Sequence, residues 1–94
     1  MKGFLIAYDL SDDRLRQKVS RRLERDGMRV QESVFEVFVK TDAAFERLRR
    51  DLEKLLGDPI AGQLRWYGLN QDGLARAGAL GTEPPAMPPA VIVR

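Results

Sequence analysis

Neither cysteine nor histidine occurs anywhere in the chain. Without cysteine there are no disulfides and no thiolate metal sites. Without histidine there is no Ser-His-Asp triad, no Cys-His pair, no imidazole base and no zinc-water centre of the usual kind. Long apolar runs are missing too: no stretch approaches the roughly 20 residues a membrane span needs. The opening run Phe4-Leu5-Ile6-Ala7 is too short for a signal peptide and leads into acids, so a cytoplasmic protein with no membrane partner is expected. No glycine-rich phosphate loop is present, and neither Ser11 nor Ser33 has a base beside it. Any catalysis must therefore rest on carboxylates, hydroxyls, arginine and lysine.

What remains is a chain of 94 residues, 44% apolar and 32% charged, which is the composition of one small globular domain. A domain of this size buries only roughly 60–65% of its unfolded surface, so its own core leaves a thin margin. With disulfides and thiolate metals excluded, association with a second subunit is the expected remedy. The net charge is +2, and arginine far outnumbers lysine among the 16 cations. Arginine offers a planar, permanently charged fork suited to phosphate.

Phe4 to Tyr8 is a continuous apolar run bounded by Gly3 and Asp9, which predicts a central strand. Ser11-Asp12-Asp13 supplies helix-capping residues, and Leu15, Val19 and Leu23 then form one apolar stripe that ends at Gly27. Met28 to Val39 reads as a short strand, a tight bend at Gln31-Glu32-Ser33 and a second strand. Thr41-Asp42 caps a second helix carrying Phe45, Leu48, Leu52, Leu55 and Leu56, closed by Gly57-Asp58-Pro59. Gln63 to Leu69 is another strand. The order β-α-β-β-α-β predicts an α+β, ferredoxin-like sheet with both helices on one face. The other face is left bare, so a second subunit or a flat ligand must cover it. Residues 1–69 form this core. Residues 70–89 read as a Gly/Ala/Pro-rich linker, and 90–94 as a last strand, Ala90-Val91-Ile92-Val93, placed to join a neighbour's sheet.

Asp9 stands where a buried strand meets a helix N-terminus, a usual place for a functional group. Asp12 and Asp13 lie beside it but occupy capping positions. Carboxylates without His or Cys suit a hard ion, Mg²⁺ or Mn²⁺. One carboxylate is a poor metal site, but in a two-fold homodimer Asp9 and its symmetry mate would share an ion and serve phosphodiester hydrolysis. The second feature is a basic line, Arg14, Lys18, Arg21 and Arg25, at helical spacing beside the apolar stripe. Arg16 and Arg22 broaden it and Arg29 follows the helix. Such a ridge can track a phosphate backbone. Arg47, Arg49 and Arg50 are mixed with acids and read as a solvated face. Trp66 and Tyr67 point to opposite sides of their strand, so at most one of them serves a base-stacking platform.

In the order Tyr8-Asp9-Leu10-Ser11-Asp12-Asp13, then Arg16, Lys18 and Val19, then Gly27-Met28-Arg29-Val30-Gln31-Glu32-Ser33-Val34-Phe35-Glu36, the chain resembles the small universal CRISPR-associated protein of spacer acquisition, an endoribonuclease family. The resemblance implies a ferredoxin-like fold, a homodimer, and a C-terminal strand (Val91, Ile92 and Val93) that completes the partner's sheet. It implies Mg²⁺ at Asp9, metal-dependent cleavage of RNA or DNA, and a complex with CRISPR integrase dimers. Tyr8, Arg16, Lys18, Arg29 and Phe35 match positions linked to activity or to the dimer cleft. On this reading Asp9 and Tyr8 are catalytic, Arg14, Arg16, Lys18, Arg21, Arg25 and Arg29 bind nucleic acid, and Phe35 lines the dimer cleft. The rival is architectural: the same dimer holds DNA as a scaffold between integrase dimers, and Asp9 does no chemistry. A small-ligand regulatory domain on the same fold is a third reading.

Overall fold

Short polar side chains set where both long helices begin. In the computed structural model, which describes residues 1–82, Asp12 precedes α1 (Asp13–Glu24). Its carboxylate accepts the backbone N–H of Arg14 at 2.8 Å and of Leu15 at 3.2 Å. Thr41 does the same for α2 (Asp42–Leu56), its hydroxyl accepting from Ala44 N–H at 3.0 Å. Each cap satisfies donors that the first helical turn would otherwise leave unpaired.

Four strands, β1 (Lys2–Asp9), β2 (Gly27–Gln31), β3 (Val34–Val39) and β4 (Gln63–Leu69), form one sheet in the order β2-β3-β1-β4. Every neighbouring pair is antiparallel, with Leu5 opposite Glu36 on one side and Tyr67 on the other. This is the expected α+β, ferredoxin-like arrangement, with β1 at the centre. Two local expectations are corrected. Gly27 opens β2 rather than closing α1, because a Cβ there would sit 2.3 Å from the Glu36 carbonyl oxygen. The stretch after Leu69 starts with a five-residue helix, α3 (Gln71–Ala75), capped by Asn70 and anchored by buried Leu74. The strand expected at 90–94, with Val91, Ile92 and Val93, lies outside the described residues.

The pleat sorts side chains between two faces. Ile6 and Tyr8 of β1 and Phe35, Val37 and Val39 of β3 point to the helices. There they pack on Val19 and Leu23 of α1 and Leu48, Leu52 and Leu56 of α2. These stripes are the ones read from the sequence. The two helices are tied by Arg22, whose guanidinium donates to Asp26 and Asp51 at 2.9 Å each. On the opposite face, a row of Met28, Glu36, Leu5 and Tyr67 crosses all four strands. Half-buried Ala7, Val34 and Phe38 share that face. No helix among the described residues is long and apolar enough to cross a membrane.

Candidate nucleic-acid interface

Because α1 turns its apolar stripe to the sheet, Arg14, Lys18, Arg21 and Arg25 are all carried to the exposed side. None of these four side chains forms an ion pair or hydrogen bond with another described residue. Eleven residues of helix at about 1.5 Å each spread them over roughly 16 Å. The ridge is thus an exposed, uncompensated line of positive charge.

Arg16 and Arg29 differ from the ridge in having internal partners. Arg16 donates to the Leu10 carbonyl at 2.6 Å and pairs with Asp13, pinning the loop between β1 and α1. Arg29 lies over the Phe35 ring, 5.2 Å from its centre, and donates to both the Ser20 hydroxyl and the Glu32 carbonyl. Ser20 in turn donates to Glu24 at 3.0 Å. Arg29 therefore clasps the β2–β3 turn to α1, with its fork already occupied. Arg16, Ser20, Glu24, Arg29 and Glu32 line an open hollow together with Tyr8.

Tyr8 and Asp9 are adjacent on an extended strand and point to opposite faces. Tyr8 is only 6% exposed and packs beside Phe35 in the core, with ring centres 6.4 Å apart. Tyr8 and Asp9, both expected to be catalytic, are thus held on opposite faces of β1 within one chain. Phe35 is fully buried on the helix face, so it is a core residue and not part of an exposed dimer cleft. Asp9 itself is exposed at the end of β1, opposite Gln63. Gly62, at φ +79°, lets the chain run close there, since a Cβ would meet the Asp9 carbonyl oxygen at 2.6 Å.

Asp12 is spent on the α1 cap and Asp13 on Arg16, which leaves Asp9 alone. Among the described residues no three acidic side chains gather as a metal site. One chain thus offers a single hard oxygen ligand, suited to Mg²⁺ only if a second carboxylate joins it. The basic surface also contains a member that periodicity missed. Lys54 of α2 lies with Lys18, Arg21 and Arg25 around a hollow between the helices. Only its i+3 position after Asp51 hinted at this side of α2.

The solvated face expected on α2 is present, with Arg49 pairing with Glu46 and Glu53. Those bonds hold the Glu46 carboxyl below its ordinary value. Trp66 meets Phe45 edge-on at 5.9 Å, while Tyr67 stands exposed on the open sheet face.

Comparison with known proteins bears on the whole assembly of features. Residues 1–77 match the family model for CRISPR associated protein Cas2. A CRISPR-associated endoribonuclease Cas2 of Chloroflexus aurantiacus is 38% identical over 82 residues, covering 87% of each chain. One from Synechocystis is 36% identical over 90 residues, covering 96% of each. A chain in a solved partial Cas6-RT-Cas1–Cas2 complex is 36% identical and superposes with a TM-score of 0.80 over the full length of both. Streptococcus pyogenes Cas2 is 27% identical with a TM-score of 0.72, covering 84% of this chain and 99% of that one.

Proposed function

The chain belongs to the Cas2 family of CRISPR-associated proteins, and from that premise we propose a spacer-acquisition subunit of antiviral defence that acts in the cytoplasm as a homodimer. The dimer binds RNA or DNA along α1 and cleaves phosphodiester bonds with Mg²⁺ at the Asp9 pair. The observation that carries this reading is the α1 ridge, four exposed cations with no ion-pair partner among the described residues. A surface of one sign with no compensation recruits a polyanion and loosens with salt.

The homodimer is supported by the open sheet face, where Met28, Leu5, Phe38 and Tyr67 would otherwise meet water. The division expected from the sequence fits such a dimer: a core of residues 1–69, a stretch at 70–89 that opens with α3, and a strand at 90–94 added to the partner's sheet. The dimer also answers the chemistry. Asp9 is an exposed carboxylate with no ion pair among the described residues, and its symmetry mate would supply the second oxygen ligand. When bound there, Mg²⁺ (or Mn²⁺) would polarise a phosphate and lower the pKa of a water. The chain's own residues hold Asp9 at the strand end, through the Gly62 approach and the Arg16 bond to Leu10, and bring the backbone alongside.

A second reading, a non-catalytic scaffold between Cas1 integrase dimers, is favoured by one observation. The cationic ridge is complete in one chain, whereas the carboxylate set is not. The relative seen in a Cas1–Cas2 complex supports a Cas1 partner. Asp9→Ala separates the readings. Assayed on RNA and duplex DNA with and without Mg²⁺, it should lose metal-dependent cleavage and keep wild-type affinity. Wild-type protein that cleaves neither substrate in Mg²⁺ refutes the catalytic reading. Intact spacer acquisition in cells carrying Asp9→Ala assigns the main role to the scaffold.

A further inference from the structure

Lys54 turns the ridge into something wider than one helix. It lies on α2 and shares a shallow hollow with Lys18 and Arg21 of α1 and Arg25 at the α1 C-cap. All four cations are exposed, and none has an ion pair or hydrogen bond among the described residues. The remaining charges at the hollow are Arg22 and Asp51, which neutralise each other at 2.9 Å. Arg22 is held a second time by Asp26, so it is a fixed wall and not a free donor. Asp51 feels the cluster directly: its carboxyl is lowered chiefly by the Arg22 bond, with Lys54 and Arg25 adding to the effect.

The physical consequence follows from charge and shape together. Four exposed cations line one concavity between the helices, and Asp51, the one acid lining it among the described residues, is already paired. Like charges gathered around one hollow repel one another, and an anion seated among them relieves that repulsion. Arginine forks bind phosphate oxygens in pairs, and a lysine adds a point charge on a flexible stem. Because the cations come from both sides, the ligand they fit is a chain of phosphates lying across the helical layer. A phosphodiester backbone has that form.

We infer that Lys54, Lys18, Arg21 and Arg25 form a phosphodiester-binding cradle between α1 and α2, so that nucleic acid crosses the helical layer and contacts α2 as well as α1. This rests on the nucleic-acid reading above and adds a contact that the α1 ridge alone lacks. Arg50, exposed on α2 outside the hollow, provides the matched control.

The test is a salt titration of nucleic-acid affinity with fluorescently labelled duplex and single strands, comparing wild type, Lys54→Gln and Arg50→Gln. Each lost phosphate contact lowers the log–log salt slope by about 0.9 for duplex and 0.7 for single strand. Lys54→Gln is expected to weaken low-salt binding about three- to tenfold and to lower the slope by that amount. Arg50→Gln should do neither. Lys54→Glu should weaken binding further while melting like wild type. If Lys54→Gln and Arg50→Gln are indistinguishable while wild type binds with a steep salt slope, the cradle is refuted and the α1 ridge stands. If wild type shows no salt-dependent binding, the cradle and the nucleic-acid reading fall together.

Discussion

Neutralising Lys18 and Arg21 together gives the sharpest test of which cations face solvent and which are tied inward. Both variants, to Gln, sit on exposed positions of α1 and remove no internal bond. Each free cation engaged with duplex contributes about 0.9 to the salt slope, so the double variant should lose about 1.8 for each protomer engaged. Between 50 and 200 mM salt, a fourfold change, wild type should then lose roughly twelve-fold more affinity than the variant for each protomer engaged. Anisotropy titrations at four or five salt concentrations read this directly. Arg29→Gln is the counterpart. Its guanidinium is spent on Ser20, Glu32 and the Phe35 ring, so the slope should stay unchanged while the melting temperature falls. The reasoning is refuted if Arg29→Gln lowers the slope as much as one ridge residue, or if the double variant leaves it unchanged.

Two further outcomes concern the sheet. Glu36, 9% exposed on the open face between Met28 and Leu5, has its carboxyl raised by burial. The folded state therefore holds its proton above the pH at which the unfolded chain releases it. The stability this contributes is present below the unfolded pKa and lost as pH rises through the folded one. Glu36→Gln should match wild type in acid and exceed it at neutral pH by about 1 kcal/mol, once screening by solvent on the open face is counted. That is roughly 4–8 °C in melting temperature, and parallel melting curves from pH 4 to pH 8 would contradict it. Phe35→Ala removes a fully buried ring beneath Arg29 and should cost about 3–5 kcal/mol in urea unfolding. A loss under 1 kcal/mol would return Phe35 to an exposed cleft.

Local signals in the sequence carried far in this chain, and contacts between distant elements did not. Asp12 and Thr41 cap the helices because a short side-chain oxygen next to an apolar stripe is read within one turn. The stripes Leu15-Val19-Leu23 and Leu48-Leu52-Leu56 point to a buried face because helical spacing repeats whatever the partner. Spacing also placed Arg14, Lys18, Arg21 and Arg25 on one side of α1. It was silent on what lies opposite. Arg16 and Arg29 look like further members of a basic run until the fold brings the Leu10 carbonyl, Ser20 and the Glu32 carbonyl within reach. Tyr8 and Asp9 are neighbours in sequence and strangers in space, for the pleat sends one to the core. The helix after Leu69 was hidden in a Gly- and Ala-rich segment, since its evidence is a single Asn70 cap, donated to by Gly73 at 2.7 Å, and one buried leucine.

The two halves of the proposed activity differ in how much of each a single copy provides. The phosphate-facing cations lie on the helical layer and depend on α1 and α2 alone, both fixed by the core and by Arg22. The proposed carboxylate chemistry would lie at the end of β1 and would need a second Asp9, since no three acidic side chains gather there among the described residues. The face that would bring it, centred on Leu5 and Glu36, is the opposite side of the sheet from the ridge. Docking two sheets there leaves both ridges open, so association and nucleic-acid binding do not compete for surface. In the proposed dimer, whatever weakens association would therefore reach cleavage first. Affinity for the backbone falls only through the loss of the second ridge, because each ridge is built from a single chain.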